Sequence, residues 1–218
     1  MSVLRTAATA FAAVLMFAGA TLATEASAAT LNYTVLRDGK PIGTHAVTID
    51  QNGPQTSVEV ETDIAVKVLF VTAYKFKHSS KESWDNGQLV SITSTTDDDG
   101  VAKELNAQIQ DGRIAVDSKV KGQERRQHAD AATLPASLWN AKTVQQSALL
   151  NTLDGQVMNV QVENLGAEEV DAGGAKLSAN HYAITGELTR EVWFDAKGRL
   201  VRMRFPDKTN SEIVYALK

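Results

Sequence analysis

Alternation of apolar and polar residues constrains the fold of this chain more than any other feature. From Leu31 to about His128 the alternation has a period of two, which is typical of strands with one buried and one exposed face. Short turn motifs separate these segments, among them Asp38-Gly39, Asn86-Gly87 and Asp111-Gly112. No helical period lies between them. The pattern therefore predicts an antiparallel meander for this half of the chain.

The pattern changes near residue 133. Thr133 offers a capping hydroxyl, Pro135 follows in what would be the first helical turn, and Leu134 and Leu138 recur at helical spacing. Strand-like alternation then resumes and continues to the C-terminus. We predict a mainly β fold: a single curved antiparallel sheet, or β half-barrel, wrapped around one short helical segment near 133–150.

The N-terminal 28 residues have the composition of a signal peptide. Arg5 supplies a positive charge, residues 6–24 carry no charge, and Ala26-Ser27-Ala28 offers small residues where signal peptidase cleaves. We predict cleavage after Ala28, one β-rich domain over residues 29–218, and a bacterial periplasmic or secreted location. The alternative is an uncleaved membrane anchor. No second apolar stretch approaches spanning length, so no stable membrane span is expected after cleavage.

Composition excludes several kinds of chemistry. The chain has no cysteine, which excludes disulfides, thiol nucleophiles and iron–sulfur sites, and its net charge of −4 gives no basic surface for nucleic acid. The four histidines lack the spacing of metal ligands, and the acidic run Asp97-Asp98-Asp99 is consecutive, as in a hairpin turn, rather than alternating as in a calcium loop. No nucleophile elbow or phosphate-binding glycine loop is present. We expect no metal and no cofactor.

The segment from Tyr74 to Trp84 is the most informative for function. A period of two places its lysines on one face, which we assign to solvent, and its aromatic residues on the other. The inner face carries Tyr74, Phe76, His78, Glu82 and Trp84. Aromatic rings with a few polar groups are typical of a small-molecule pocket. The alternative is a strand that leaves the core after Phe76, so that His78 and Glu82 meet solvent.

Two tryptophan motifs repeat along the chain. Glu82-x-Trp84 and Glu191-x-Trp193 are each followed by a turn and a Leu-Val pair. One interpretation is that the same hairpin solution occurs twice. The other is that two half-sheets place Trp84 and Trp193 beside one concave surface, and Trp193 therefore joins the candidate binding residues.

The run Val68–Val71 loses the alternation. It is predicted to be either a hairpin bend covered by the core or an apolar rim at a cavity mouth.

Several motifs resemble an uncharacterised family of exported bacterial proteins that carries a domain-of-unknown-function label. They are the start Tyr33–His45, the run Val66–His78, the Ser-Leu-Trp-Asn of 137–140, and the ending His181–Val201. The resemblance spans nearly all of the chain after the leader. It implies a curved antiparallel sheet around a helical segment, a half-barrel similar to that of periplasmic lipoprotein carriers. It implies no activity and no catalytic residues.

Three functions remain open from the sequence. The leading hypothesis is non-catalytic binding or carrying of a small hydrophobic or amphipathic ligand on the concave face. The first alternative is an envelope protein–protein interaction module that pairs through exposed edges. The second is a hydrolase- or isomerase-like enzyme that uses His78 with Glu82 or Glu191, which requires those groups to meet in a cleft.

Overall fold

The structure is a computed structural model that describes residues 27–218. Within these residues, fifteen strands form one sheet, accompanied by a single 3₁₀ helix, Ala141–Gln145. The strands are β1 (Ser27–Arg37), β2 (Lys40–Asn52), β3 (Gln55–Val68), β4 (Val71–Asp85), β5 (Gln88–Asp98), β6 (Val101–Gln110), β7 (Arg113–Val120), β8 (Gln123–Asp130), β9 (Leu134–Pro135), β10 (Ala148–Leu150), β11 (Val157–Ala172), β12 (Ala175–Gly186), β13 (Arg190–Asp195), β14 (Leu200–Pro206) and β15 (Glu212–Leu217). Of the predicted signal peptide, residues 1–26 lie outside the described part of the chain.

The order of the strands explains the curvature of the sheet. From one edge to the other it runs β8 to β1 and then β15 to β9, with antiparallel neighbours except for the parallel pair β9–β10. The two edge strands, β8 and β9, are joined by residues 131–133 alone, which span at most about 14 Å when extended. The edges must therefore approach each other. The sheet curls into a barrel-like shape whose seam between β8 and β9 is not hydrogen-bonded, and the predicted curved, mainly antiparallel β fold is confirmed.

The hairpin turns of the first half have a common geometry. Five of them place a non-glycine residue and then a glycine at positive φ, the combination that a two-residue type I′ turn requires. At Asp38-Gly39, for example, the φ angles are 48° and 76°. The turns of this kind are Asp38-Gly39, Asn86-Gly87, Asp99-Gly100, Asp111-Gly112 and Lys121-Gly122.

The predicted helix near 133–150 is wrong. Leu138 has a φ of 60°, which interrupts a right-handed helix, and the short strands β9 and β10 replace its two ends. Leu149 and Leu150 pair with β11 instead of forming a helical turn. The N–H of Thr133, the predicted cap, bonds to the carbonyl of Asp130. Only the 3₁₀ helix between β9 and β10 is helical.

Residues 136–156, here called the interior segment, fill part of the space inside the curved sheet. The Ser94 hydroxyl of β5 donates to the carbonyl of Thr152 at 2.5 Å, and the Gln127 side chain of β8 donates to the carbonyl of Gly155. A Cβ on Gly155 would lie 2.6 Å from Val116 and 2.9 Å from Leu105. Gly155 is therefore required because its backbone presses directly on the inner face of the sheet.

Buried apolar side chains form two clusters on opposite faces of the sheet. The larger lies on the inner face and includes Val35, Val60 and Ile92, against which the interior segment packs. The smaller, here called the outer cluster, lies where the β11–β12 hairpin folds over β13–β15. It consists of Val170, Ala172, Ala179, Trp193 and Val201.

Candidate functional site

Four polar residues on adjacent strands form a line across the inner face. The antiparallel register pairs His45 of β2 with Thr62 of β3, Thr62 with His78 of β4, and His78 with Thr96 of β5. All four side chains are buried. We call this set the transverse row. It arises because paired residues on neighbouring antiparallel strands point to the same face of a sheet.

Within the row, one ring nitrogen of each histidine is hydrogen-bonded to a threonine hydroxyl. Nδ1 of His45 lies 2.8 Å from Oγ1 of Thr62, and Nδ1 of His78 lies 2.8 Å from Oγ1 of Thr96. Burial lowers the pKa of each imidazole to about 4, and the neighbouring His78 contributes further to the shift at His45. Both rings are therefore neutral at pH 7 and present hydrogen-bonding groups without charge to the interior.

An acidic residue and its partners flank the row on β4–β6. Tyr74 donates its hydroxyl proton to Asp98 at 2.8 Å, and Nζ of Lys103 lies 3.0 Å from the same carboxylate. Partial burial would raise the pKa of Asp98, but the bonds from Lys103 and Tyr74 outweigh that effect and hold its pKa below the ordinary value. Asp98 is thus a carboxylate already engaged by two donors.

Aromatic residues and an arginine continue the inner face beyond the row, on β13–β15. The ring of Tyr215 on β15 lies 5.1 Å from His45 in an edge-to-face arrangement and 6.0 Å from Phe205 on β14. The guanidinium carbon of Arg190 on β13 lies 3.7 Å from the centroid of Phe205. Burial raises the pKa of Tyr215 to about 12, so its phenol stays protonated.

The exposure of the inner-face side chains differs between the two ends of the barrel-like sheet, along the direction of the strands. Tyr74, Phe76, Arg190 and Phe205 are only partly buried, although they point inward. We call this region the open end. Around Trp84, by contrast, the inner-face side chains are buried and the interior segment covers them; we call that region the closed end.

Glu82 lies at the closed end and ties the interior segment to β4. Its Oε2 accepts hydrogen bonds from the indole nitrogens of Trp84, at 2.9 Å, and Trp139, at 2.8 Å, and the two indoles meet edge to face. Glu82 has no exposed surface. Burial raises the pKa of its carboxyl, and bonds from Ser137, Trp139 and Trp84 oppose the shift without cancelling it. This arrangement packs the core and offers no access to a substrate.

The structure separates the groups that the enzyme hypothesis requires to meet. His78 and Glu82 are four residues apart on one strand, about 13 Å along its axis, and each has its own hydrogen-bond partners. Glu191 lies on the outer face, where its Oε2 is 2.8 Å from Nε2 of His181 and 2.6 Å from Arg204. Neither carboxylate is within hydrogen-bonding reach of His78.

Trp193 also lies apart from the other candidate residues. It belongs to the outer cluster, stacks on His181 with ring centroids 4.1 Å apart, and donates to Glu168. Trp84 belongs to the inner cluster. The two tryptophans therefore do not flank one concave surface, because the motif on β13 turns its tryptophan outward where that on β4 turns it inward. Of the six predicted residues, Tyr74, Phe76 and His78 are together at the open end.

Two grooves lie on the outer face of the strands. One, of about 700 Å³, crosses β4–β8 and is lined by charged side chains such as Lys81, Glu104 and Arg126. The other, of about 470 Å³, includes Glu61 and Lys77 on the outer side of the strands that carry the transverse row. Both grooves are open to solvent and lined mainly by polar and charged residues, whereas a typical small-molecule pocket is concave and lined by apolar and aromatic side chains.

Residues 27–218 contain no group of three or more metal-ligating side chains, and none of their helices has the length and apolar character to cross a bilayer.

Sequence reasoning missed several residues of the open end. Thr62 and Thr96 lie in alternating strands that the sequence does identify, but their pairing with the histidines depends on the register. Arg190, Phe205 and Tyr215 come from strands more than 110 residues away from Phe76 along the chain. The alternation on β13–β15 could have identified Arg190, because a period of two puts it on the same inward face as Val192.

The fold and the open end define a class, that of β-barrel-like domains with a curved sheet around an irregular interior segment. A family model described as Domain of unknown function (DUF6134) matches residues 33–218, and the chain belongs to this family. Comparison with curated proteins finds no match.

Among solved structures, the chain is similar to a crystal structure of a β-barrel-like protein of the domain of unknown function DUF1849 from Brucella abortus. The TM-score is 0.61 at 13% sequence identity, and the match covers 87% of this chain and 95% of that chain. At this identity the likeness concerns the fold alone.

Proposed function

We propose that this protein binds a small amphipathic ligand, without catalysis, at the open end of its curved sheet. One observation carries the proposal: the inward-facing rings of Tyr74, Phe76 and Phe205 keep solvent-exposed surface, whereas the closed end is filled by the interior segment. Covering these exposed apolar rings with an apolar ligand removes their surface from water, which favours binding.

The polar groups at this end suit an amphipathic ligand better than a purely apolar one. The imidazoles of His45 and His78 are neutral at pH 7 and can exchange hydrogen bonds without a charged partner. Buried polar groups favour a ligand that can bond to them, because a ligand without polar atoms leaves such groups unpaired.

Export would give such a binding protein access to envelope lipids and metabolites. The signal-like composition of residues 1–28 supports this part of the proposal. Mass spectrometry of the protein isolated from a periplasmic fraction tests export. The mass of a chain that begins at Ala29 supports export with cleavage, and the mass of the full-length chain contradicts it.

Native mass spectrometry tests ligand binding. The protein is purified gently after expression with its leader, and the same sample is extracted for lipids and metabolites. We expect a bound mass that is lost on denaturation, that is absent from Phe76→Glu, and that persists in the control Val90→Glu, whose side chain is 42% exposed. An apo mass after exposure to envelope lipids, or an equal bound mass in folded Phe76→Glu, would contradict the proposal.

A second candidate function, that of an envelope interaction module, is favoured by the tip of the β3–β4 hairpin. Leu69, Phe70 and Val71 are 90%, 100% and 69% exposed. The edge strand β8, by contrast, carries charged side chains such as Arg125 and Arg126, which disfavour pairing with another strand. A photoreactive residue at position 70 should then cross-link to a specific partner chain in cells, and one at position 90 should not. Equal labelling at both positions would count against this candidate.

A further inference from the structure

Arg190 occupies an unusual position for an arginine in this fold. It is the first residue of β13, where alternation puts it on the same face as the buried Val192 of the inner cluster. Its guanidinium is stacked on Phe205, with 3.7 Å between the guanidinium carbon and the ring centroid. Arg190 therefore brings a permanent positive charge to the aromatic wall of the open end.

That charge has no carboxylate partner among residues 27–218. One hydrogen bond is formed, from Nη1 to the carbonyl of Thr189 at 2.7 Å, and no acidic oxygen lies within 4.0 Å. Arg37, Arg126, Arg199 and Arg204 differ, because each makes an ion pair with an aspartate or glutamate. The other arginines without an ion pair lie elsewhere: Arg113 and Arg125 are exposed, and Arg202 lies against Trp193 on the outer face. A partly desolvated charge without a counter-ion is costly, so this arrangement is poised to accept an anion.

The neighbours of Arg190 do not supply that anion. Tyr215 stays protonated at pH 7, since burial raises its pKa, and the nearby His45 is neutral. Asp98, on the opposite wall, is already bound to Tyr74 and Lys103. Burial lowers the pKa of Arg190 only to about 10, so its positive charge persists at neutral pH.

We propose that Arg190 binds the carboxylate head group of a single-chain amphiphile whose apolar tail covers the aromatic residues of the open end. This inference rests on the proposed function and specifies its ligand class. A guanidinium has five N–H donors in a planar fork that fits a carboxylate, and only one bond is made within the protein. Stacking on Phe205 holds the plane of the fork, which reduces the entropy lost when the anion binds.

Calorimetric titration tests the inference with three probes. Decanoate has the head group and the tail, 1-decanol has a similar tail without charge, and acetate has the head group alone. We expect decanoate to bind at least about tenfold more tightly than 1-decanol, because a charge-assisted hydrogen bond contributes enough free energy for a difference of that size. Acetate should bind much more weakly than either. Arg190→Gln should remove the preference for decanoate. The exposed Arg113→Gln serves as the matched control and should retain it.

Each contrary outcome identifies the claim that fails. Equal binding of decanoate and 1-decanol, or an undiminished preference in folded Arg190→Gln, overturns the role of Arg190 while the proposed function stands. Acetate binding as tightly as decanoate overturns the assignment of an amphiphile. No binding of any probe overturns both proposals. Arg190→Lys keeps the charge but not the planar fork, and it should retain part of the preference for decanoate. If Arg190→Gln fails to fold, this variant shows whether the site survives substitution.

Discussion

Replacing His78 should make the protein less sensitive to acid. The imidazole of His78 is buried, and burial lowers its pKa from 6.5 to about 4. In the unfolded chain it takes up a proton near pH 6.5, whereas in the folded protein it does so only near pH 4. The stabilising contribution is therefore present above pH 6.5 and is lost as the pH falls towards 4. The shift corresponds to about 3 kcal/mol over that window.

Urea unfolding of the wild type, His78→Asn and His128→Asn measures this effect. His128 is exposed on β8 and serves as the matched control. His78→Asn is expected to be less stable at pH 7, because the bond to Thr96 is altered. On lowering the pH to 4, the wild type should lose about 3 kcal/mol more of its unfolding free energy than His78→Asn does. Parallel losses in the two proteins would refute the assignment of a buried, neutral imidazole.

Two further predictions concern the closed end. Glu82→Ala leaves the indole N–H groups of Trp84 and Trp139 without their acceptor and should lower the unfolding free energy by about 3–5 kcal/mol, whereas Glu82→Gln should cost less than about 1.5 kcal/mol. Because burial raises the pKa of Glu82, the folded protein retains a proton that the unfolded chain loses above about pH 4.5, which opposes the stability that the buried histidines add over the same range. Between pH 4 and pH 8 the unfolding free energy of the wild type should therefore rise less than that of Glu82→Gln. Urea unfolding at the two pH values checks this, and equal changes in the wild type and Glu82→Gln would contradict it. Gly155→Ala should cost about 2–4 kcal/mol, because a Cβ would lie 2.6 Å from Val116. Gly112→Ala has a similar φ, of 74°, with nothing within 4 Å, and should cost only about 1 kcal/mol in the same assay; equal costs would refute the close contact.

The strands of the first half were predictable because their physics is local. Alternation marks each strand, and Asp-Gly or Asn-Gly pairs at positive φ specify the hairpins between them. Consecutive hairpins then fix which strands are neighbours. The helical segment was wrongly predicted because tertiary pairing outweighed a local preference. The spacing of Leu134 and Leu138 fits a helix, but tertiary pairing of β9 and β10 and the left-handed conformation of Leu138 outweigh that preference.

The open end was only half predictable. The inward direction of Tyr74, Phe76 and His78 follows from the alternation on β4. Their partners do not, because Arg190 and Tyr215 come from the end of the chain and reach the site only when β15 pairs with β1. No local pattern encodes that closure. The repeated tryptophan motif was misleading for the same reason, since two similar hairpins can present opposite faces to the core.

The location of the binding site is the central claim and is tested most directly by mapping amide chemical shifts. Labelled protein is titrated with decanoate, and the ¹H–¹⁵N resonances are followed. We predict the largest changes at the open end, at Phe76, His78, Arg190, Phe205 and Tyr215, with little change near Trp84 and Trp139. Changes that cluster in the outer-face grooves or at the closed end, with the open end unaffected, would contradict the account.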